Sequence, residues 1–458
     1  MRSLLLKVVG KIEMTNSKIV FKSKALTILY VLLISVSLGI PIFKESNSFS
    51  SIVLIGMLLT IAMISLLIQK SSINEYSIKK LYLILFEIIG ISFFINGIFF
   101  SVIGYLAIGI IFSFLVPVFE LVCASNVKFS MCKIMACGVF ISFIAFIIIS
   151  ILCGSALGKT QYTSVFSNPN TLGNYMIIVN SSILFLIFDA SDLQKKSIWI
   201  YLCALGIGVS IMVLTNSRTT AIAIICQLIF VFVVIIIKQI KKRDKNKLFA
   251  IIKKVCATVL ICISMFIIIF FALTDLKITL IKIIPSIQIT KEYDDVTFSD
   301  ILGRTIARYT KGIDTSDMNE AKNDAFTSGR KEIWMDFIRN IKFEGHSEEG
   351  RRITEDTRFY ANTNAHNVYI QVAYSAGIIA GVAMLLLILL TARDIVFKLG
   401  EFLRHGKLNN DDIFTICSAI GFSIVSLTSG GYMLYTYLPA TLFYFSLYTL
   451  SIKKVVCE

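Results

Sequence analysis

Asn364-Ala365-His366-Asn367-Val368-Tyr369-Ile370 marks the point where the longest polar segment of this 458-residue chain ends and a hydrophobic run begins. Thr327-Ser328-Gly329-Arg330 and Gly345-His346 come shortly before it, and Gly377-Ile378-Ile379-Ala380-Gly381 shortly after. Two of the three histidines of the chain, His346 and His366, lie in this stretch. One side of the junction is charged, and the other is apolar for long enough to cross a bilayer, so His366 falls near a membrane–water interface. Imidazole and guanidinium groups supplied there by one polar loop suit chemistry on an anionic, lipid-borne substrate.

The rest of the chain supports that placement. Hydrophobic residues make up 56% and charged residues 16% of the sequence, against about 45–50% and about 25% in soluble domains. The apolar residues come in runs of about 18 or more, the length that crosses ~30 Å of hydrocarbon. A β-barrel would show ~10-residue alternating segments, and none are visible. The chain reads as an all-α polytopic membrane protein with about twelve transmembrane helices and one large extracytoplasmic loop. The expected spans are 25–43, 50–68, 81–99, 102–123, 134–153, 169–188, 197–215, 219–237, 255–273, 367–391, 412–430 and 433–452.

Lysine and arginine set the expected orientation. The segment Lys238 to Lys254 holds eight basic residues, whereas the short loops on the opposite side hold only Lys44, Lys159 and Arg218. Both termini are therefore expected in the cytoplasm. The net charge of +15 follows from the same asymmetry and needs no nucleic acid. Residues 1–24 form a basic cytoplasmic tail rather than a cleaved signal. Spans one to nine occupy 25–273, the large loop 274–364, the last three spans 365–452, and a short cytoplasmic tail 453–458. The loop carries 14 basic and 16 acidic residues, so its near-neutral charge does not oppose translocation.

At about 90 residues that loop is too long for a mere connector and reads as a small cap with helical pieces. Ser328 is placed as an N-cap. After it, Ile333, Trp334, Phe337, Ile338 and Ile341 form an amphipathic stripe that lies either on lipid or on the bundle. Shorter helices are expected at 301–309 and 280–284. The ten cysteines lie almost entirely in or beside apolar runs, with no disulfide framework and no metal-binding spacing. Gly154-Ser-Ala-Leu-Gly158-Lys159-Thr160 is one residue short of a P-loop and on the wrong face for nucleotide. No internal repeat is visible, which weighs against repeat-built transporters.

His366 is the first candidate for chemistry, because imidazole accepts a proton near neutral pH. Asn364 and Asn367 beside it can fix its tautomer or contact a sugar. The plainer alternative is a helix-entry residue making a local hydrogen bond. Arg218, in Asn216-Ser217-Arg218-Thr219, is the one charge between 197 and Lys238, on the side where arginine is disfavoured. A guanidinium binds phosphate with two parallel hydrogen bonds and keeps its charge, although an arginine at a helix end also snorkels. Arg330 reaches a second phosphate oxygen or pairs with Glu332 or Asp336. Asn168-Pro169-Asn170 opens the sixth span, either as cap and turn or as amides for sugar hydroxyls. Glu87 lies inside the third span without an assigned role. Gly377 and Gly381 read as a close helix-packing pair.

Taken in order, Asn168-Pro169-Asn170 with Gly173, Asn216-Ser217-Arg218, Ser328-Gly329-Arg330 with Trp334, Gly345-His346, and Ala365-His366-Asn367-Val368-Tyr369 with Gly377 resemble the bacterial O-antigen polymerase and ligase family. The resemblance covers roughly 160–385. It departs at Ser347, where a second glycine is common, and His346 is not carried over as catalytic. The resemblance implies a C-type glycosyltransferase fold and a glycan donor on undecaprenyl diphosphate. It implies His366 as the base on an acceptor hydroxyl, with Arg218 and Arg330 on the diphosphate. Asn168, Asn170, Asn364, Asn367 and Tyr369 stand as candidate substrate contacts. No cofactor or metal is implied. The implied partners are the lipid-linked donor, a glycan acceptor, the bilayer, and chain-length regulator and flippase proteins. The expected activity is polymerisation of O-antigen or capsular repeat units. The alternatives are a ligase acting on lipid A-core, protein or wall, and a flippase for the same lipid-linked glycan.

Overall fold

The computed structural model describes residues 31–32, 34–35, 76–125, 130–153, 162–166, 168–192, 196–241, 245–273, 303, 330–347, 364–428 and 438–454. Most of the expected span 25–43, all of 50–68, the N-terminal tail, most of the C-terminal tail, the P-loop-like segment and most of the large loop, including the expected N-cap Ser328, lie outside the described residues. Within them, seven helices are long and apolar enough to cross a membrane.

In chain order, a short strand β1 (Tyr76–Ile78) leads into α1 (Lys80–Phe99). α2 (Ile103–Ile110) passes through a π-helical turn, Ile111–Leu115, into α3 (Val116–Ser125). α4 (Met131–Cys153), α5 (Pro169–Asp192), α6 (Ile198–Thr215), α7 (Arg218–Lys241) and α8 (Lys245–Phe271) follow. The cap contributes α9 (Arg330–Arg339). The chain returns through α10 (Val368–Ala376), α11 (Ile378–His405), α12 (Asn410–Ser426), α13 (Leu438–Ser446), α14 (Tyr448–Ser451) and β2 (Ile452–Lys454). The helical expectation therefore needs one small amendment, because β1 and β2 pair antiparallel with Ser77 opposite Lys453.

α5 is the central helix. Of its membrane-length window 89% is buried, against 39% for α7 and α11. It packs on α4, α6, α7 and α12. Its polar side chains are bonded inside the bundle, because hydrocarbon offers backbone and amide groups no partner. Asn180 donates to Gln227 Oε1 at 2.6 Å, and Gln227 donates to Ser181 Oγ at 3.0 Å and to the Cys417 carbonyl at 2.8 Å. That set ties α5, α7 and α12 together. On the outside, Ile98, Leu260 and Val382 are more than half exposed, as an apolar exterior facing lipid requires.

One expected span is corrected. The run 367–391 is two helices, α10 and α11, broken at Gly377. Gly377 takes φ +91°, and a Cβ there would lie 2.1 Å from the Phe343 carbonyl oxygen. The Ile378 N–H donates to Lys342 O at 3.3 Å. Gly377 is therefore a break that seats the 342–346 loop. Gly381 keeps the expected packing role, because a Cβ there would meet the Ala373 Cβ at 2.5 Å. The crossing helix is α11 itself, 28 residues and about 42 Å long at 1.5 Å per residue. The last two expected spans form the shorter helices α12 and α13.

The end of the bundle away from His366 is fastened by ion pairs. Lys79 lies 2.6 Å from Asp394, Lys133 lies 2.8 Å from Asp189, and Lys398 pairs with Asp412. Asp412 begins α12 and Leu427 follows its end, so about 22 Å of helix separates those pairs from the His366 loop.

Candidate active site

The loop carrying His366 is held by four hydrogen bonds that begin in local sequence. Asn367 is the N-cap of α10, and its Oδ1 accepts from the N–H groups of Tyr369 at 3.0 Å and Ile370 at 3.2 Å. These satisfy two donors that a helix start leaves without intrahelical partners. Asn364 Oδ1 accepts from the His366 N–H at 3.0 Å, an Asx turn. The Ala365 N–H donates to Gln371 Oε1 at 2.8 Å. Gln371, fully buried, donates onward to Ser375 Oγ at 2.8 Å. With its neighbours held in this way, His366 sits in the left-handed region at φ +45°. A non-glycine residue there costs about 1–3 kcal/mol and persists only where its surroundings enforce it.

Arg330 reaches this loop because α9 docks on α10. Ile333 and Phe337, the buried part of the amphipathic stripe, cluster with Ala365 and Tyr374. The stripe therefore packs on protein rather than lipid. The Phe337 and Tyr374 rings meet edge-on at 4.7 Å. His346 stacks on the other side of Tyr374 at 4.0 Å, and its Nε2 lies 2.6 Å from the Asn340 carbonyl oxygen at the end of α9. His346 thus fastens the cap helix. Gly345, at φ +83°, lies against the Ser375 carbonyl and the Asn96 amide, and Asn96 donates to Glu344 O at 2.5 Å and to Ser375 O at 3.1 Å. The turn forms with Ser347 in place of a second glycine.

The consequence is electrostatic. Burial lowers the pKa of Arg330. Burial, and then the charge of Arg330, lower His366 from 6.5 to about 4. The imidazole is therefore neutral at pH 7.

The other expected residues gather at the same end of the bundle. The Asn367 amide donates to Leu427 O at 3.4 Å, and next to it Thr428 Oγ1 donates to Thr219 Oγ1 at 2.9 Å. Arg218, beside Thr219, is the first residue of α7. Ser217 donates to Asn170 Oδ1 at 3.1 Å and shares a hydrogen bond with Thr220 at 3.0 Å. A Cβ on Gly173 would lie 2.2 Å from Thr220 Oγ1, so glycine lets the starts of α5 and α7 touch. Asn168 acts as cap and turn, accepting from the Asn170 N–H at 2.8 Å, and both asparagines are exposed. Tyr369 donates from its hydroxyl to Ser423 O at 3.5 Å.

Tyr369 and Val368 also stand at one end of an apolar cavity of about 530 Å³, which runs between α11, α12 and α13 as far as Ile395 and Leu447. Gln371 and Ser375 were not singled out from sequence. Their signal was present, since a polar side chain inside an apolar helix marks a partner in the bundle. Among the described residues, no group of three or more His, Cys, Asp or Glu side chains could hold a metal ion.

At one polar end of this apolar helical bundle, His366 lies within the field of Arg330. Residues 203–385 match the family model described as O-Antigen ligase. The matched stretch contains Arg218, Arg330 and His366. A search of curated proteins found no match to this chain.

Proposed function

We propose that the protein is a glycosyltransferase that extends a polysaccharide by joining repeat units carried on a polyprenyl diphosphate, at the outer face of the bacterial cytoplasmic membrane. The observation that carries this reading is the coupling of His366 to Arg330 at the polar end of an apolar bundle. The acceptor hydroxyl gives its proton to His366 as its oxygen attacks the anomeric carbon of the donor. The bond from that carbon to the diphosphate breaks, and the electron pair leaves on the diphosphate oxygen. Arg330 and Arg218 meet the charge that develops there. The donor is already activated, so the work left to the protein is to position, desolvate and take one proton.

The cavity beside Tyr369 suits the hydrocarbon of the donor, since it is apolar and is lined by Val368 and Tyr369, close in sequence to His366. Asn367 spends its amide on the helix cap and on Leu427, so its role is to shape the loop. Asn168, Asn170 and Asn364 remain the candidates for sugar hydroxyls. Both termini face the cytoplasm in this reading.

The second reading is a ligase that transfers a finished glycan to another acceptor, favoured by the match to a family described as O-Antigen ligase. Purified wild type and His366→Ala, each supplied with a native undecaprenyl-diphosphate repeat unit, test both. A product ladder from wild type that vanishes in the variant supports the polymerase. Product only when a separate acceptor is added supports the ligase. A ladder that survives in the variant removes His366 as the base.

A further inference from the structure

Trp334 is a half-buried side chain beside the site that the mechanism above leaves unused. It lies four residues after Arg330 on α9, so the two side chains share a face, with Cβ atoms about 5–6 Å apart. The rotation of that face is fixed by Ile333 and Phe337, which flank Trp334 and are buried against Ala365 and Tyr374. Ala365 adjoins His366, so this helix abuts the catalytic loop directly. The indole Nε1 of Trp334 is shielded from solvent and has no acceptor among the described residues. Buried indole N–H groups ordinarily find a partner, and one left without is destabilising. The other tryptophan, Trp199, is 57% exposed near the start of α6 and has no such constraint.

An uncompensated donor one helical turn from a guanidinium is matched by an acceptor that is anionic and has several oxygens. We propose that Trp334 donates its indole N–H to a phosphate oxygen of the lipid-linked diphosphate, beside Arg330, and so helps select a diphosphate over a monophosphate. This rests on the functional reading above and adds a recognition residue to it. A hydrogen bond to a charged acceptor is shorter and about twice as strong as a neutral one, which makes the diphosphate a better partner than a sugar hydroxyl.

The test uses the full-length protein in detergent micelles. A Trp199→Phe variant leaves Trp334 as the sole indole, because the chain has two tryptophans. Its emission is followed during titration with undecaprenyl diphosphate and, separately, undecaprenyl monophosphate. Retention of the radiolabelled lipids is measured in parallel on wild type and Trp334→Phe, which keeps the aromatic ring and removes the donor. The expected results are a saturable emission change with the diphosphate, a weaker response to the monophosphate, and about tenfold weaker diphosphate retention in Trp334→Phe at an unchanged melting temperature. Retention without any emission change, or equal retention by Trp334→Phe, overturns the inference and leaves the functional reading standing. Equal responses to both lipids overturn the selection of diphosphate. Failure of the wild type to retain either lipid overturns both this inference and the functional reading.

Discussion

Arg330 acts on His366 through space: after burial, its charge is the second cause of the fall in the imidazole pKa from 6.5 to about 4. The pair joins a cap helix to the loop before α10, and neither element alone makes a site. It also sets the pH behaviour. The proposed base works unprotonated, so activity is expected to fall as pH drops through its pKa. The acid limb of kcat/KM, which reports the free enzyme, is expected near pH 4. A bound diphosphate offsets the charge of Arg330, so the acid limb of kcat is expected at higher pH than that of kcat/KM. Arg330→Gln removes one of the two causes and moves the kcat/KM limb upward, with burial still holding it below 6.5. Coincident limbs in wild type and variant would sink the electrostatic account.

Gln371 is expected to matter as much as a residue that touches substrate. It accepts from the Ala365 N–H and donates to Ser375 Oγ. Gln371→Leu leaves a buried backbone N–H without its partner, which costs about 1–3 kcal/mol and releases the residue before His366. A lower melting temperature and at least a tenfold loss of kcat are expected, with Ser375→Ala milder on both counts. A Gln371→Leu enzyme of full activity would show that the loop is held by other means.

Gly377→Ala tests the helix break. The added Cβ would lie 2.1 Å from the Phe343 carbonyl at a φ of +91°, whereas a Cβ on Gly400 of the same α11 meets nothing within 4 Å. The first substitution is expected to destabilise by about 1–3 kcal/mol. The second is expected to be neutral or slightly stabilising, since alanine favours helix by up to about 1 kcal/mol over glycine. Thermal unfolding in detergent compares them directly, and equal melting temperatures would mean that the loop 342–346 yields to the added methyl.

The apolar cavity gives a prediction about lipid length. Ala392 and Ala419 line it from α11 and α12. Ala419→Phe is expected to raise KM for a donor on a long polyprenyl chain several-fold and to leave a donor on a short prenyl chain nearly unaffected. Equal effects on both donors would place the hydrocarbon elsewhere.

Much of this protein was open to reading along the chain, because a membrane imposes its length scale on sequence. Apolar runs of bilayer length located α1, α4, α5, α6 and α7 to within a few residues. The polar-to-apolar junction at His366 was visible because hydrocarbon does not tolerate the charges that precede it. One cap was legible too: Asn168 before Pro169 caps as its residue type and position dictate, whereas Asn367 was read as a substrate contact and proved to be the cap of α10.

What the sequence by itself determined is local or set by the solvent: the helical class, the membrane-crossing lengths, the caps, and the residue types that chemistry at an interface would need. Tertiary structure decided which of those residues meet. The amphipathic stripe of α9 has two apolar destinations of similar hydrophobicity, lipid and the bundle. Only the fit of Ile333 and Phe337 against Ala365 and Tyr374 chooses between them. Gly377 reads as a packing residue in sequence, and the approach of the Phe343 carbonyl makes it a break instead. Arg330 acts on His366 because the α9–α10 packing brings them together. That follows from side-chain complementarity between segments distant in sequence, which periodicity and residue propensity do not encode.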